Sequence, residues 1–205
     1  MRRLGRRFYA RDTFVVAQEL LGHTLYVESE EGLAGGRIVE VEAYCGTRDP
    51  GSHAYRGQTS RNTVMFGPAG HLYVYFTYGM HHCANIVTET DGVAGAVLLR
   101  AIEPTWGSDL MAERRGTDAP RLLASGPGRL CRALGLDRSF NGADLVTGPV
   151  WVEARRRVDG PVSTSGRIGL RGGSELPWRF FEIGPWTSRP SGRGGPTRRG
   201  AASPR

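Results

Sequence analysis

The sequence between residues 71 and 85 decides how the fold can be built. It reads His71-Leu-Tyr-Val-Tyr-Phe-Thr-Tyr-Gly-Met-His-His-Cys-Ala-Asn85. Aromatic, aliphatic and β-branched residues run from Leu72 to Tyr78, Gly79 interrupts them, and a second extended run continues through Val87. Such enrichment on both sides of a glycine predicts a β-hairpin.

The tip of this predicted hairpin is unusual because it is hydrophobic. A turn that points into water commonly carries Asn, Asp or Ser, but here Tyr78 and Met80 flank Gly79, and Phe76 lies just before them. Two interpretations are open. In one, the tip packs beneath another part of the fold. In the other, it is a wedge of the kind that proteins insert between the base steps of a duplex.

The charge balance indicates a polyanionic partner. The 205 residues include 27 basic and 20 acidic ones, a net charge of +7, and every one of the 27 is arginine. Such a surplus is typical of proteins that bind nucleic acid. No apolar segment has the length of a signal peptide core or a membrane span. We therefore expect no membrane partner and a cytoplasmic protein, associated with the nucleoid of a bacterium.

The cysteines and histidines do not predict a metal site or a cofactor. Cys45, Cys83 and Cys131 are far apart and form no CxxC pair, which favours a reducing compartment over a disulfide scaffold. His81-His82-Cys83 has the composition of a metal site, but adjacent residues of a strand point to opposite faces. No second cluster has zinc-like spacing, and neither a Walker A motif nor a Rossmann fingerprint is present.

The rest of the chain predicts one α+β domain. Asp12 or Thr13 is placed to cap a helix that ends at Gly22, and Pro127 to open another that Gly135 closes. A short helix is expected at 109–115, and further strands at 23–29, 36–44, 96–102, 149–154 and 179–183. Without βαβ alternation, these elements predict a curved, mostly antiparallel sheet with flanking short helices and a protruding hairpin. The domain is expected to span 1–186, and 187–205 to be a disordered basic tail.

Two charged residues and one histidine are candidates for chemistry, each with a structural alternative. Strand alternation places Glu42 beside Tyr44, so Glu42 is either a general base or a solvated edge residue. Arg100 follows an apolar run, so it is either functional or a structural salt bridge, for instance with Glu103 or Asp91. The loop histidine His53 is either a binding residue or simply exposed.

Taken in order, several short motifs resemble the alkyladenine (3-methyladenine) DNA glycosylase family. They are Val41-Glu-Ala-Tyr44, His53, Arg61-Asn62, Met65-Phe66, Leu72-Tyr-Val-Tyr75, Tyr78-Gly-Met80, Asn85-Ile86, Leu98-Leu-Arg-Ala-Ile-Glu-Pro104, Ser125-Gly-Pro-Gly-Arg-Leu-Cys131 and Arg167-Ile-Gly169. The resemblance covers nearly the whole chain, from Arg11 to Phe181.

The resemblance implies a catalytic pair and a base pocket. Glu42 matches the base that activates the water attacking the sugar C1′, and Arg100 matches the arginine that helps to hold that water. Tyr44, His53 and Tyr75 match the aromatic walls between which a flipped base is stacked. Extrusion of the target nucleotide is the general requirement for such chemistry.

The resemblance also implies residues for selectivity and for DNA contact. Asn85 matches the side chain that rejects normal guanine by crowding its exocyclic amino group. Tyr78 matches the residue that takes the vacated place in the duplex, which favours the wedge interpretation of the tip. Met80, Arg61 and Arg167 complete the expected DNA contacts. The chain departs from the family pattern at His81-His82 and Cys45, and by an insertion before Arg100, which affects expectations for the flanking duplex contacts.

The function implied is that of a monofunctional DNA glycosylase. It would excise alkylated or deaminated purines of the 3-methyladenine, 7-methylguanine, hypoxanthine and ethenoadenine class from double-stranded DNA, as a monomer and without a cofactor. Two other functions remain open. A non-catalytic nucleic-acid-binding protein would share the charge and the wedge, and an RNA-directed base hydrolase would keep the catalytic pair. A similarity in fold to the small C-terminal domain of formyltransferases says little about function.

Overall fold

The computed structural model of the chain describes residues 1–170 and 172–188. Within them the strands are β1 Thr24–Ser29, β2 Gly32–Tyr44, β3 Leu72–Thr77, β4 His81–Val87, β5 Ala96–Trp106, β6 Val150–Glu153, β7 Val162–Ser165 and β8 Arg179–Glu182. The helices are α1 Arg6–Tyr9, α2 Thr13–Leu20, α3 Ser108–Arg115, α4 Pro120–Leu123 and α5 Pro127–Leu134. Short 3₁₀ helices lie at Gly46–Arg48, Thr63–Phe66 and Arg138–Phe140.

The strands form one antiparallel sheet in the order β3-β4-β5-β2-β1-β6, and β8 pairs with both β2 and β7. Strand β2 is long enough to pair with β5 along one edge and, on the other, first with β1 and then with β8. The predicted fold class, a mixed α+β domain with a curved antiparallel sheet and short helices, is confirmed.

Strand β2 is central and buried, so the interpretation of Glu42 as a solvated edge residue is wrong. Every residue from Ala34 to Ala43 is buried, because β2 is paired along both edges and the helices α2, α3 and α5 pack against it. Its pairing with β5 shifts register between Ile38 and Glu40 and again between Glu40 and Val41. Such bulges re-aim side chains, and here they lie next to the two buried carboxylates of the strand.

Two helices follow their predicted end signals closely. Helix α2 begins after Asp12, whose carboxylate accepts hydrogen bonds from the backbone N–H of Phe14 (2.9 Å) and Val15 (3.2 Å). Helix α5 starts at Pro127 and ends before Gly135, which has a left-handed φ of 69°. The four-residue elements α1, α4 and β7 were not predicted, because so short a segment carries little periodicity.

The main core lies where α2 and α5 pack on the sheet, α2 against β2 and β5, and α5 chiefly against β4 and β5. A smaller apolar cluster lies under the polar loop 46–70 and consists of Ala54, Met65, Tyr73, Val87, Ala94 and Ala96. This second cluster fixes the loop against the sheet, and with it the position of His53.

The domain extends slightly further than predicted. Ser188 is buried and bonds to Glu40, and Thr187 bonds to the backbone of Glu182. The expected boundary at residue 186 is therefore two residues short, because a sequence rich in small and basic residues does not reveal these specific polar contacts. Arg171 and the rest of the predicted tail, 189–205, lie outside the described residues.

Within the described part of the chain, no helix has both the length and the apolar character needed to cross a membrane. Nor do three or more His, Cys, Asp or Glu side chains of that part gather where they could hold a metal ion. The cysteines Cys45, Cys83 and Cys131 are buried and free.

Candidate active site

A groove of about 1180 Å³ adjoins a small cavity of about 50 Å³. Four residues line both spaces, and they are Tyr44, His53, Tyr75 and Leu170. Small-molecule pockets usually measure about 300–1,000 Å³, so the cavity alone is tight for a nucleobase. A base entering it must spread the side chains or extend into the groove.

Glu42 is held beneath this groove by three donors. Its Oε1 accepts the backbone N–H of Ile168 (2.8 Å) and lies 3.1 Å from Nη1 of Arg100, and its Oε2 accepts the hydroxyl of Tyr44 (2.9 Å). Burial and the neighbouring Glu42 raise the pKa of Tyr44 well above its usual range, so that hydroxyl remains a donor. A carboxylate has about four lone-pair sites, which leaves Glu42 room for one further donor such as water.

Arg100 is a buried bridge between two carboxylates. Its Nε donates to Glu40 Oε1 at 2.7 Å, while its Nη1 faces Glu42. Burial alone would lower the pKa of Arg100, but Glu42 and Glu40 raise it above its usual value. The interpretation of Arg100 as a structural salt bridge named Glu103 or Asp91 as its partner. That choice is wrong, because Arg100 pairs with Glu40 and Glu42, and Glu103 binds Arg37 instead. Arg100 also lines the groove.

The predicted aromatic walls come together around the cavity. His53 packs edge-on against Tyr75 with ring centroids 4.5 Å apart, and its Nδ1 lies 3.0 Å from the hydroxyl of Tyr73. Burial, reinforced by Arg61, lowers the pKa of His53 below its usual value. The imidazole is therefore neutral at neutral pH, and the walls of the cavity carry no charge of their own.

Asn85 lies at the bottom of the same cavity. The side chain is buried, and its amide nitrogen donates to the backbone carbonyl of Tyr73 at 3.0 Å. Because this bond fixes the amide against the neighbouring strand β3, Asn85 presents a rigid edge to whatever enters.

The hairpin tip projects into solvent, so the interpretation that it packs beneath another part of the fold is wrong. Tyr78 is 79% exposed and Met80 68%. Tyr78 has φ of 51° and Gly79 φ of 67°, the left-handed pair that matches the twist of a hairpin. A non-glycine residue held in that region is uncommon and is a feature that clusters at functional sites.

The two remaining arginines expected to contact DNA differ in their surroundings. Arg61 is exposed, with its guanidinium 5.8 Å from the ring centroid of Tyr75. Arg167 is fully buried and forms a bidentate ion pair with Asp49 at 2.6 and 2.7 Å. Its side chain also stacks on Tyr44, 4.6 Å from the ring centroid. A direct contact of Arg167 with DNA is therefore not available in this structure, because its side chain is fully buried and its two terminal nitrogens are held by Asp49.

Comparison with known proteins agrees with this geometry. The sequence profile of the methylpurine-DNA glycosylase family matches residues 7–185. The chain belongs to this family. It is accordingly a DNA glycosylase, a hydrolase of N-glycosidic bonds that acts in DNA repair, and the alternative of a non-catalytic binder falls away. Glu42, Arg100 and all the cavity residues lie inside the matched range.

Individual relatives are similar over most of their length. A protein of Methanoculleus marisnigri named "Putative 3-methyladenine DNA glycosylase" is 52% identical over 179 residues, 85% of this chain and 92% of the relative. Proteins of the same name from Chlorobaculum parvum and Chlorobaculum tepidum are 50% and 48% identical, covering 88% and 92% of this chain and the same shares of those proteins.

On the glycosylase groove, a patch of arginines lies without carboxylate partners. Arg115, Arg121 and Arg129 line it, and among residues 1–170 and 172–188 none of them pairs with an acidic side chain. Burial and then the charges of Arg129 and Arg132 lower the pKa of Arg115. We call Arg115, Arg121 and Arg129 the groove arginines.

Several residues around the glycosylase site were not found from the sequence. Ile168 acts through its backbone N–H, which no residue type reveals. Glu40, Tyr73 and Asp49 act through partners far away along the chain. A weak signal was present for Glu40, because a second glutamate two positions before Glu42 shares its strand face.

Proposed function

We propose that this glycosylase excises alkylated or deaminated purines from double-stranded DNA, as a monomer, by flipping the nucleotide and directing water at C1′. The class includes 3-methyladenine, 7-methylguanine, hypoxanthine and ethenoadenine. One observation carries the proposal. A buried carboxylate, Glu42, is paired with Arg100 behind an uncharged aromatic cavity, next to a groove that carries unpaired arginines and an exposed apolar tip.

The first step is extrusion of the nucleotide. Unstacking costs a few kcal/mol, least for a damaged or mispaired base. Stacking on an aromatic side chain is worth about 1–3 kcal/mol per base, so Tyr44 and Tyr75 together offset much of that cost. Tyr78 fills the gap left in the duplex and delays restacking, a role supported by its exposure at the tip.

The cavity discriminates by charge and by shape. Alkylation at N3 or N7 leaves a purine cationic, and the faces of Tyr44 and Tyr75 attract cations. A neutral His53 adds no repulsion. Asn85, fixed by Tyr73, crowds the position where guanine carries its exocyclic amino group, so normal guanine fits less well. A neutral lesion such as hypoxanthine enters because it lacks that group.

Hydrolysis then requires a base and a held water. Glu42 accepts the proton of a water that binds its free lone-pair site, and Arg100, 3.1 Å from Glu42, orients that water. A positioned general base contributes about 10²–10⁴-fold, short of the ~10⁶-fold or more that enzymes commonly reach. The remainder comes from the good leaving group and from Glu42 stabilising positive charge that develops on the sugar.

Water, and not an amine, is the nucleophile in this proposal. Glycosylases that also cleave the backbone form a Schiff base through an amine, and the 205 residues contain no lysine. Arginine is no substitute, because its guanidinium stays protonated. With water as the nucleophile, the product is an intact strand that carries an abasic site.

Excision assays on duplexes that carry hypoxanthine, ethenoadenine or methylated purines test the proposal. Wild-type protein should yield alkali-sensitive sites without spontaneous strand cleavage, and borohydride should trap no covalent adduct. Glu42→Gln should bind the lesion duplex as wild type does, yet lose at least about 100-fold in single-turnover rate, because an amide holds water but cannot take its proton. Excision by Glu42→Gln at the wild-type rate, or a trapped adduct, would contradict the mechanism.

A further inference from the structure

Beneath the catalytic pair lies a second, fully buried carboxylate that the reaction does not itself require. Glu40 accepts four hydrogen bonds: from Nε of Arg100 and Nε of Arg179, each at 2.7 Å, and from the hydroxyl (2.7 Å) and backbone N–H (2.5 Å) of Ser188. These partners come from β5, β8 and the segment after β8, so one side chain joins three separate parts of the chain.

We propose that Glu40, Arg179 and Ser188 are positioning residues for the catalytic pair, a buried platform that fixes the guanidinium of Arg100 toward Glu42. The inference rests on the proposed hydrolysis. Burial by itself would raise the pKa of Glu40, but Arg100, Arg179 and Ser188 together lower it, so Glu40 is an anion that holds Arg100 firmly.

Geometry explains why Arg100 needs this support. Its Nε is used by Glu40, its Nη2 lies 3.4 Å from the hydroxyl of Ser188, and its Nη1 is left for Glu42. A guanidinium is planar, so fixing two of its nitrogens also fixes the third. Without Glu40 or Ser188, Arg100 could rotate into the groove that it lines.

Charge explains the need for Arg179. With Glu42 ionised, the two glutamates balance Arg100 and Arg179, and the cluster is neutral. Arg179 is itself fixed by the hydroxyl of Ser165 and the carbonyl of Ser188, both at 3.0 Å. Removing the charge of Arg179 therefore makes the cluster next to Glu42 net negative. Removing the charge of Glu40 makes it net positive.

Other groups that face Glu42 do not change charge between pH 4 and 8. Burial raises the pKa of Tyr44, of Tyr75 on β3 and of Cys83 on β4 above their usual values, and Arg167 stays protonated. His53 in the cavity wall also gains a proton on the acidic side, since burial and Arg61 lower its pKa, but it is the same in every variant. A shift of the acidic limb of the pH–rate profile between variants therefore reports on the platform and the catalytic pair.

The first experiment measures single-turnover excision of a hypoxanthine duplex between pH 4.5 and 8. Arg179→Gln leaves a net negative cluster, which favours proton uptake, so the acidic limb should move up by about one pH unit. Glu40→Gln leaves a net positive cluster, so the limb should move down by a similar amount. Ser188→Ala should lower the rate without moving the limb. Lesion-duplex affinity should stay unchanged in all three.

The sheet supplies a matched control, Glu182→Gln. Glu182 lies on β8, is buried, and pairs with Arg37 of β2, so its loss should reduce stability as the platform variants do. It should leave the acidic limb where it is. Shifts of the same sign in Glu40→Gln and Arg179→Gln, or no difference of either from Glu182→Gln, would overturn the platform.

A second measurement does not depend on activity. In ¹⁵N-arginine-labelled protein, Nε–H of Arg100 should give a sharp signal that exchanges slowly with water, assigned by its loss in Arg100→Lys. Glu40→Gln and Ser188→Ala should broaden it, and Glu182→Gln should not. If wild type excises no damaged purine but this pattern holds, the proposed function fails and the platform stands. An equally sharp signal in all variants rejects the platform whatever the activity.

Discussion

Two buried arginines lie on paired strands, Arg37 on β2 and Arg100 on β5, and they differ in whether they contact the groove. The side chains of Arg37 and Arg100 are 7% and 6% exposed, and both meet more than one carboxylate. Arg37 binds Glu103, Glu182 and, at 3.5 Å, Asp159. This end of the strand does not line the groove, so we call it the sealed site. Arg100 does line the groove, and we call its surroundings the open site.

The comparison shows that a buried charge does not by itself mark a catalytic centre. Both sites stabilise the sheet by joining β2 to β5 and β8, and ion-pair networks of either purpose perturb pKa values. What distinguishes the open site is that Arg100 lines the groove, and that Glu42, which shares this arginine, also accepts a hydrogen bond from Tyr44 in the cavity wall. We propose that contact with the groove, and not burial, separates a catalytic ion pair from a structural one here.

The largest expected effect is a difference in excision rate between variants of the open site and of the sealed site. Arg100→Gln and Arg37→Gln should each cost about 3–5 kcal/mol in the free energy of unfolding, because each leaves buried carboxylates unpaired. Only Arg100→Gln should reduce excision, by about 10²–10³-fold, when folded protein is compared at 15 °C. Denaturant titration and single-turnover rates measure the two quantities. An equal loss of excision in both variants would show that the sites do not differ in function.

A smaller effect is expected at the hairpin tip. Tyr78→Ala should slow excision of a well-paired lesion by about 10-fold, the equivalent of one lost stacking contact, and of the same lesion in a mismatch by less, since extrusion is then cheaper. Trp106→Ala, at an exposed aromatic that does not line the groove, is the control and should change neither rate. Equal losses of rate on the paired and mismatched duplexes would contradict the wedge interpretation and indicate that the tip has a structural role only.

The smallest expected effect concerns the groove arginines. Arg129→Gln should weaken binding to undamaged duplex a few-fold and reduce the slope of log affinity against log salt by about one, because one counterion fewer is released. Arg157→Gln is the control. Arg157 is exposed like the groove arginines, but it is paired with Asp159 of the sealed site. The same change in slope for both variants would indicate a diffuse charge effect and no patch on the groove.

Much of the fold could be predicted because its signals are local. Asp12 caps α2 and Gly135 ends α5 through bonds within a few residues, and the hairpin follows from two apolar runs around Gly79. The position of β2 in the sequence could be predicted, but its burial could not. Strand alternation indicates which side chains share a face and not which elements pack on that face. The N-terminal extension of β2 to Gly32 depends on its pairing with β1, and the run of β5 to Trp106 depends on pairing with Gly35 of β2.

For the candidate site, too, one part could be predicted from the sequence and another could not. The sequence by itself determined which residues could do the chemistry, since Glu42, Arg100, Tyr44, His53, Tyr75 and Asn85 stand in motifs that can be read in order. Only the tertiary structure decided their partners. Arg100 faces Glu40 and Glu42, Arg167 turns inward to Asp49, and Ser188 returns to a strand that lies 148 residues earlier. The physical reason is that a buried charge takes its partners from the sheet's long-range pairing, which residue spacing along one strand does not encode.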